Sequence, residues 1–220
     1  MGMDFNMIMG HNLTVEQIGN LSRDEKLWNS LANYFKKELE CEPSNPYRRW
    51  TQDPSQQNFE EFWTHIESQG YYDKTFEIDC YFGNITVFRK TLRVWFSTIF
   101  YSYRFFEHVR DTIQIITTGR IFANHIGTDQ VLYIPDGYLK TAIIEGYARK
   151  DLSLDEAINK GIKDFGKPPE GISKGRKNYF FVDNINEEIG EIKEWSEEED
   201  FWVWSEEEKD YIQINKNANM

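Results

Sequence analysis

Residues 75–88 read TFEIDCYFGNITVF. Phe76, Ile78, Cys80 and Phe82 alternate with Glu77, Asp79 and Tyr81. A period of two sends successive side chains to opposite sides of an extended chain, so this stretch predicts a strand with one buried and one wetter face. Gly83-Asn84 predicts the hairpin turn, and residues 85–88 the returning strand. Residues 91–100, dense in aromatic and β-branched side chains, suit a third strand. An antiparallel sheet is therefore the centre from which the rest of the chain is read.

Toward the N-terminus the period lengthens. Thr14 and Gln17 have the spacing of a capping box in front of Val15, Ile18 and Leu21, and Ser22 with Glu25 repeats it. Leu27, Trp28, Leu31, Tyr34, Phe35 and Leu39 then recur at three and four, the stripe of a helix lying on a core. CEPSNPYRRWTQDPSQQ at 41–57 predicts a loop, because Pro43, Pro46 and Pro54 interrupt helix and ladder alike. Phe59, Phe62, Trp63 and Ile66, closed by Gly70, predict a third helix.

Toward the C-terminus, residues 112–118 and 130–134 predict strands, the second stopped by Pro135-Asp136-Gly137. Leu139, Ala142, Ile143, Tyr147 and Ala148 form one helical stripe. Ser153 with Glu156 caps another helix carrying Ala157, Ile158, Ile162 and Phe165, ended by Gly166, Pro168 and Pro169. Residues 178–182 predict a strand. Three short apolar runs at 189–195, 201–204 and 211–214, separated by two SEEE segments, predict a β-meander with acidic turns. The expected fold is α+β, a single domain over 1–220. Its antiparallel sheet spans about 75–134 and 178–214 and packs on N-terminal and central helices, with 187–220 able to form an acidic meander subdomain.

Charge is unevenly placed. The net charge is −12, and residues 187–210 alone hold twelve acids against two lysines. Such a field repels nucleic acid and anionic membrane and draws in basic partners. Trp195, Trp202 and Trp204 stand beside Glu197, Glu198, Glu199, Glu206, Glu207 and Glu208. Rigid rings next to carboxylates suit the capture of a basic protein, as in an inhibitor or immunity-type protein. The plainer reading is a solvated edge whose charges keep strands from pairing with neighbours.

Two other function classes have residues to support them. An enzyme with an aromatic-lined pocket would use His108 as acid or base, with Glu107, His125 and Asp129 as further candidates and Arg104, Arg110 and Asp111 nearby. A structural homo-oligomer would dock its acidic tail on the basic middle of a second copy. Lys174, Arg176 and Lys177 form a local basic loop able to touch an anion. Arg89, Lys90, Arg93 and YRRW at 47–50 interleave rings and cations, but the overall charge makes nucleic acid an unfavourable partner.

The four histidines make no close ligand pair, Cys41 and Cys80 stand alone, and no glycine-rich phosphate loop occurs, so neither metal nor cofactor is expected. Cys41 and Cys80 could pair, but nothing demands it, and such sparse cysteine usage suits a reducing compartment. VWFSTIFYSYRFF at 94–106 falls short of the roughly 20 apolar residues of a membrane span. With no basic, apolar leader at the start, the expectation is a cytoplasmic protein without a membrane span.

Overall fold

The computed structural model describes residues 5–40, 48–50, 76–96, 108–135, 143–147, 152–168, 172, 179–192, 201–205 and 210–214. The alternation at 76–88 forms the predicted hairpin. Strand β3 (Phe76–Cys80) pairs with β4 (Gly83–Val87), and β4 with β5 (Thr91–Phe96). The turn lies two residues before its predicted place: Cys80 pairs with Gly83, leaving Tyr81 and Phe82 to reverse the chain. The reason is packing. Phe82 is fully buried, stacked on Phe96 at 4.9 Å and edge-on to Phe35 at 5.8 Å and Phe122 at 6.2 Å. Gly83 is required for close approach, because a Cβ there would stand 2.0 Å from the Trp95 carbonyl oxygen.

Strand β1 (Phe5–Gly10) lies inside the sheet and has no counterpart in the sequence reading. It lies between β5 and β6 (Gln130–Pro135), antiparallel to both. Phe5, Met7, Ile8 and Met9 are all fully buried. A strand covered on both faces shows no alternation, which hides it from a period-two search. A further strand, β2 (Arg48–Trp50), occupies the proline-rich segment read as loop and pairs with β3 at one edge; β7 (Phe181–Asn184) closes the other edge on β6. The seven strands run β2-β3-β4-β5-β1-β6-β7, every neighbour antiparallel.

Helix α1 (Val15–Asn20) starts at the predicted Thr14–Gln17 capping box. Helix α2 (Glu25–Glu38) is capped not by Ser22 but by Asp24, whose Oδ1 accepts the Leu27 N–H at 3.1 Å. Its buried side is the predicted stripe: Leu27, Trp28, Leu31 and Phe35. Each such side chain contributes about 1.5–3 kcal/mol on leaving water.

The largest correction is helix α3 (Val109–Ile126). The segment 112–118, predicted as strand from its Thr and Ile content, is helical. Its buried residues Thr112, Ile115, Ile116, Gly119, Phe122, Ala123 and Ile126 keep helical spacing and pack on the sheet. The threonines that oppose helix formation turn their hydroxyls back: Thr112 Oγ1 donates to the His108 carbonyl and Thr118 Oγ1 to that of Gln114, both at 2.9 Å.

On the other face, residues 143–147 are helical and helix α4 (Leu154–Phe165) starts at the predicted Ser153–Glu156 box. Ile144, Leu154 and Ala157 cover Ile8, Leu132 and Ile134 there. The fold is thus a single α+β domain whose antiparallel sheet packs against helices, as expected.

The predicted helix at 59–70 lies outside the described residues. Strand β7 ends two residues beyond the predicted 178–182. Of the three-stranded meander, two strands form: β8 (Phe201–Ser205) and β9 (Asp210–Ile214) pair as a separate two-stranded sheet, while residues 189–192 are not extended into a strand.

Candidate functional site

The β8–β9 register decides which tail residues share a side. Trp204 pairs with Tyr211 and Trp202 with Gln213, while Phe201 and Val203 pair with Ile214 and Ile212. Side chains alternate along a strand, so Trp202, Trp204 and Tyr211 belong to one side of the ribbon and Phe201, Val203, Ile212 and Ile214 to the other. The connection is Glu206-Glu207-Glu208-Lys209. Of the tail candidates, Trp195, Glu197, Glu198, Glu199, Glu206, Glu207 and Glu208 lie outside the described residues, and Trp202 and Trp204 are described through their backbone.

The histidine candidates do not assemble. His108 is exposed at the N-terminus of α3 and makes no side-chain capping bond. His125 stands near the other end of the same 18-residue helix, about 25 Å away at 1.5 Å per residue. There its Nε2 meets Asp24 Oδ2 at 2.7 Å, tying the end of α3 to the cap of α2. Burial alone would raise the Asp24 pKa, but the Leu27 N–H and His125 together hold it below the ordinary carboxylate value. Glu107, Lys174, Arg176 and Lys177 lie outside the described residues. Cys80 is a buried free thiol whose pKa burial pushes up to about 12, so it stays protonated at neutral pH.

Asp129 borders a cleft of about 390 Å³ at one end of the sheet, with His11, Lys90, Ser153 and Asp155. Sequence reasoning passed over His11. Its Nε2 lies 2.8 Å from the Phe88 carbonyl, and the Leu13 N–H donates to Nδ1 at 3.3 Å. An amide donor on one nitrogen and a carbonyl acceptor at the other define the neutral Nε2–H tautomer, and burial lowers the His11 pKa in the same sense. Both nitrogens are engaged, so His11 fastens β1 to the β4–β5 turn and is not poised as a base. The Ser153 hydroxyl is likewise occupied, accepting the Glu156 N–H.

A second polar region lies on the sheet face away from α2 and α3. Across four strands the register aligns Asp79, Asn84, Trp95 and Asn6, with Glu77, Thr86, Arg93 and Ile8 in the next row. Arg93 Nη1 donates to Glu145 Oε1 at 2.6 Å, and its Nη2 donates to Thr86 Oγ1 at 3.2 Å. Thr86 in turn donates to Glu77 Oε1 at 3.1 Å. The Arg93 and Glu145 side chains are 13% and 14% exposed, so the pair is largely removed from water. Arg93 was weighed only as one of several surface cations, and nothing local in the sequence signals its carboxylate partner 52 residues away.

Among the described residues no group of three or more His, Cys, Asp or Glu is arranged to hold a metal ion, and no helix is long and apolar enough to cross a membrane. Comparison with protein-family models, with curated proteins and with solved structures returns no match for this chain.

Proposed function

We propose that the chain is a protein-binding module whose acidic C-terminal hairpin engages a basic protein partner, in the manner of an inhibitor or immunity-type protein. The observation that carries this reading is the β8–β9 register, which assigns Trp202, Trp204 and Tyr211 to one side of a ribbon whose connection begins with three glutamates. Aromatic anchors supply rigid contact area, and the surrounding carboxylates accelerate encounter with a cationic surface. A two-stranded ribbon is marginal by itself in water. This one carries apolar or aromatic residues on both sides, so a covered side favours its ordered form.

The test compares capture of proteins by the immobilised chain, by the triple variant E206K/E207K/E208K, and by a control of identical net charge reversed at the exposed Glu16, Glu25 and Glu38. Basic proteins retained by wild type and control but released by the hairpin variant are the expected result. Equal capture by all three contradicts the reading.

A further inference from the structure

His11 is held at three points. Its backbone N–H donates to the Lys90 carbonyl at 3.0 Å, its Nε2–H donates to the Phe88 carbonyl at 2.8 Å, and its Nδ1 accepts the Leu13 N–H at 3.3 Å. The first two contacts join the end of β1 to the β4–β5 turn. The third is of a different kind. It needs the lone pair on Nδ1, so it exists only while the ring is neutral.

A proton added at Nδ1 turns that acceptor into a donor facing another donor. Moving the hydrogen to the other nitrogen brings no relief, since an imidazolium carries one on each. The Phe88 bond survives protonation and is strengthened by the charge, so it is the Leu13 contact that gives way. Leu13 directly precedes Thr14, the cap of α1, and its side chain packs on the larger core cluster. Displacing its amide therefore shifts the connection between β1 and α1, where His11 and Asn12 border the 390 Å³ cleft.

The charged groups around the ring come from four elements. Arg89 and Lys90 are exposed on the β4–β5 turn, Glu16 on the first turn of α1, Asp129 ahead of β6, and Asp155 and Glu156 on the first turn of α4. Of these, Lys90, Asp129 and Asp155 line the cleft with His11. Burial lowers the His11 pKa below the ordinary value of 6.5 and outweighs the backbone contacts with Phe88 and Thr91, which raise it. The neutral ring's contribution is thus complete above the unfolded value near 6.5 and falls away as pH drops through it toward the folded value.

We propose that His11 is an acid-sensitive latch: uptake of a proton from solvent at Nδ1 releases the Leu13 amide and opens the β1–α1 connection beside the cleft. The latch stands apart from the β8–β9 ribbon and does not depend on the partner reading above.

The test is an NMR titration of the full ¹⁵N-labelled chain from about pH 7.5 to about 4.5, across the histidine range. Long-range imidazole spectra show the Nε2–H tautomer of His11 at the upper end and a midpoint below 6.5. The Leu13 and Thr14 amides shift with that same midpoint, while the amides of β5 and β6 keep their native positions. His11→Gln keeps a donor and an acceptor but does not titrate, so the acid-dependent shift at Leu13 disappears. Where that variant does not fold, the wild-type midpoints decide alone. A His11 midpoint at or above 6.5, protonation that leaves Leu13 unmoved, or global unfolding before the ring titrates would each overturn the proposal. The same holds if folded His11→Gln shows the wild-type shift at Leu13.

Discussion

Gly119→Ala should destabilise this protein even though alanine is the better helix former. Gly119 lies in the interior of α3 and faces β6. The exchange gains about 1 kcal/mol of helix propensity. Against that, the new Cβ would stand 2.2 Å from the Tyr133 hydroxyl oxygen and 2.8 Å from Cζ. Tyr133 is fully buried and its hydroxyl donates to the Ile116 carbonyl at 3.1 Å, so the ring has nowhere free to go. Overpacking a filled core costs about 1–3 kcal/mol. Displacing the hydroxyl from the Ile116 carbonyl adds about 1–3 kcal/mol. The net expectation is a loss of roughly 3 kcal/mol, read by urea denaturation with circular dichroism. Tyr133→Phe removes the closest atom, so the double variant should lie above the sum of the single effects by about 1 kcal/mol or more, the coupling typical of residues in contact. A Gly119→Ala protein as stable as wild type would show that α3 does not pack on β6 through this glycine.

Three further outcomes follow from the same structure. Arg120 holds Asp183 through two bonds, at 2.9 and 2.7 Å, and Asp183 is 4% exposed. Asp183→Ala should cost about 3 kcal/mol in denaturation, whereas replacing both partners by apolar residues costs less; equal losses would contradict the pairing. The Asp24 pKa is lowered in the folded state, so its contribution is present above the unfolded carboxylate value near pH 4 and is lost as pH falls through the folded value. Asp24→Asn should therefore flatten the acid limb of the stability curve, and an unchanged limb would count against the His125–Asp24 contact. In a Cys41→Ser background, Cys80 should resist iodoacetamide at neutral pH until denaturant is added, and rapid labelling of the folded protein would refute its burial.

The sequence was most legible where a face met water. The 76–80 alternation, the Thr14 and Ser153 capping boxes and the Leu27–Phe35 stripe each mark a boundary between core and solvent, and each forms as read. It was least legible where burial is complete. Phe5–Gly10 is covered on both faces and shows no period. In α3, the content of Thr112, Ile113, Ile115, Ile116, Thr117 and Thr118 favours a strand, and tertiary packing overrides it. The signal that identifies the helix is the spacing of Ile115, Ile116, Gly119, Phe122, Ala123 and Ile126, visible only when the window extends past Gly119. The site candidates divide the same way. His108, His125 and Asp129 are near in sequence, but the length of α3 separates the first two, His125 turns to Asp24, and Asp129 borders the cleft beside His11 and Ser153. The Arg93–Glu145 pair joins strand β5 to a helical segment 52 residues away, which no local motif records.

The partner reading rests on where contact is made, and hydrogen–deuterium exchange of the chain alone and in complex with a captured basic partner reports that directly. The account predicts slowed exchange at Phe201–Ser205 and Asp210–Ile214, with the seven-stranded sheet unchanged. Protection confined to the seven-stranded sheet or its helices, with the ribbon exchanging as in the free chain, would contradict it.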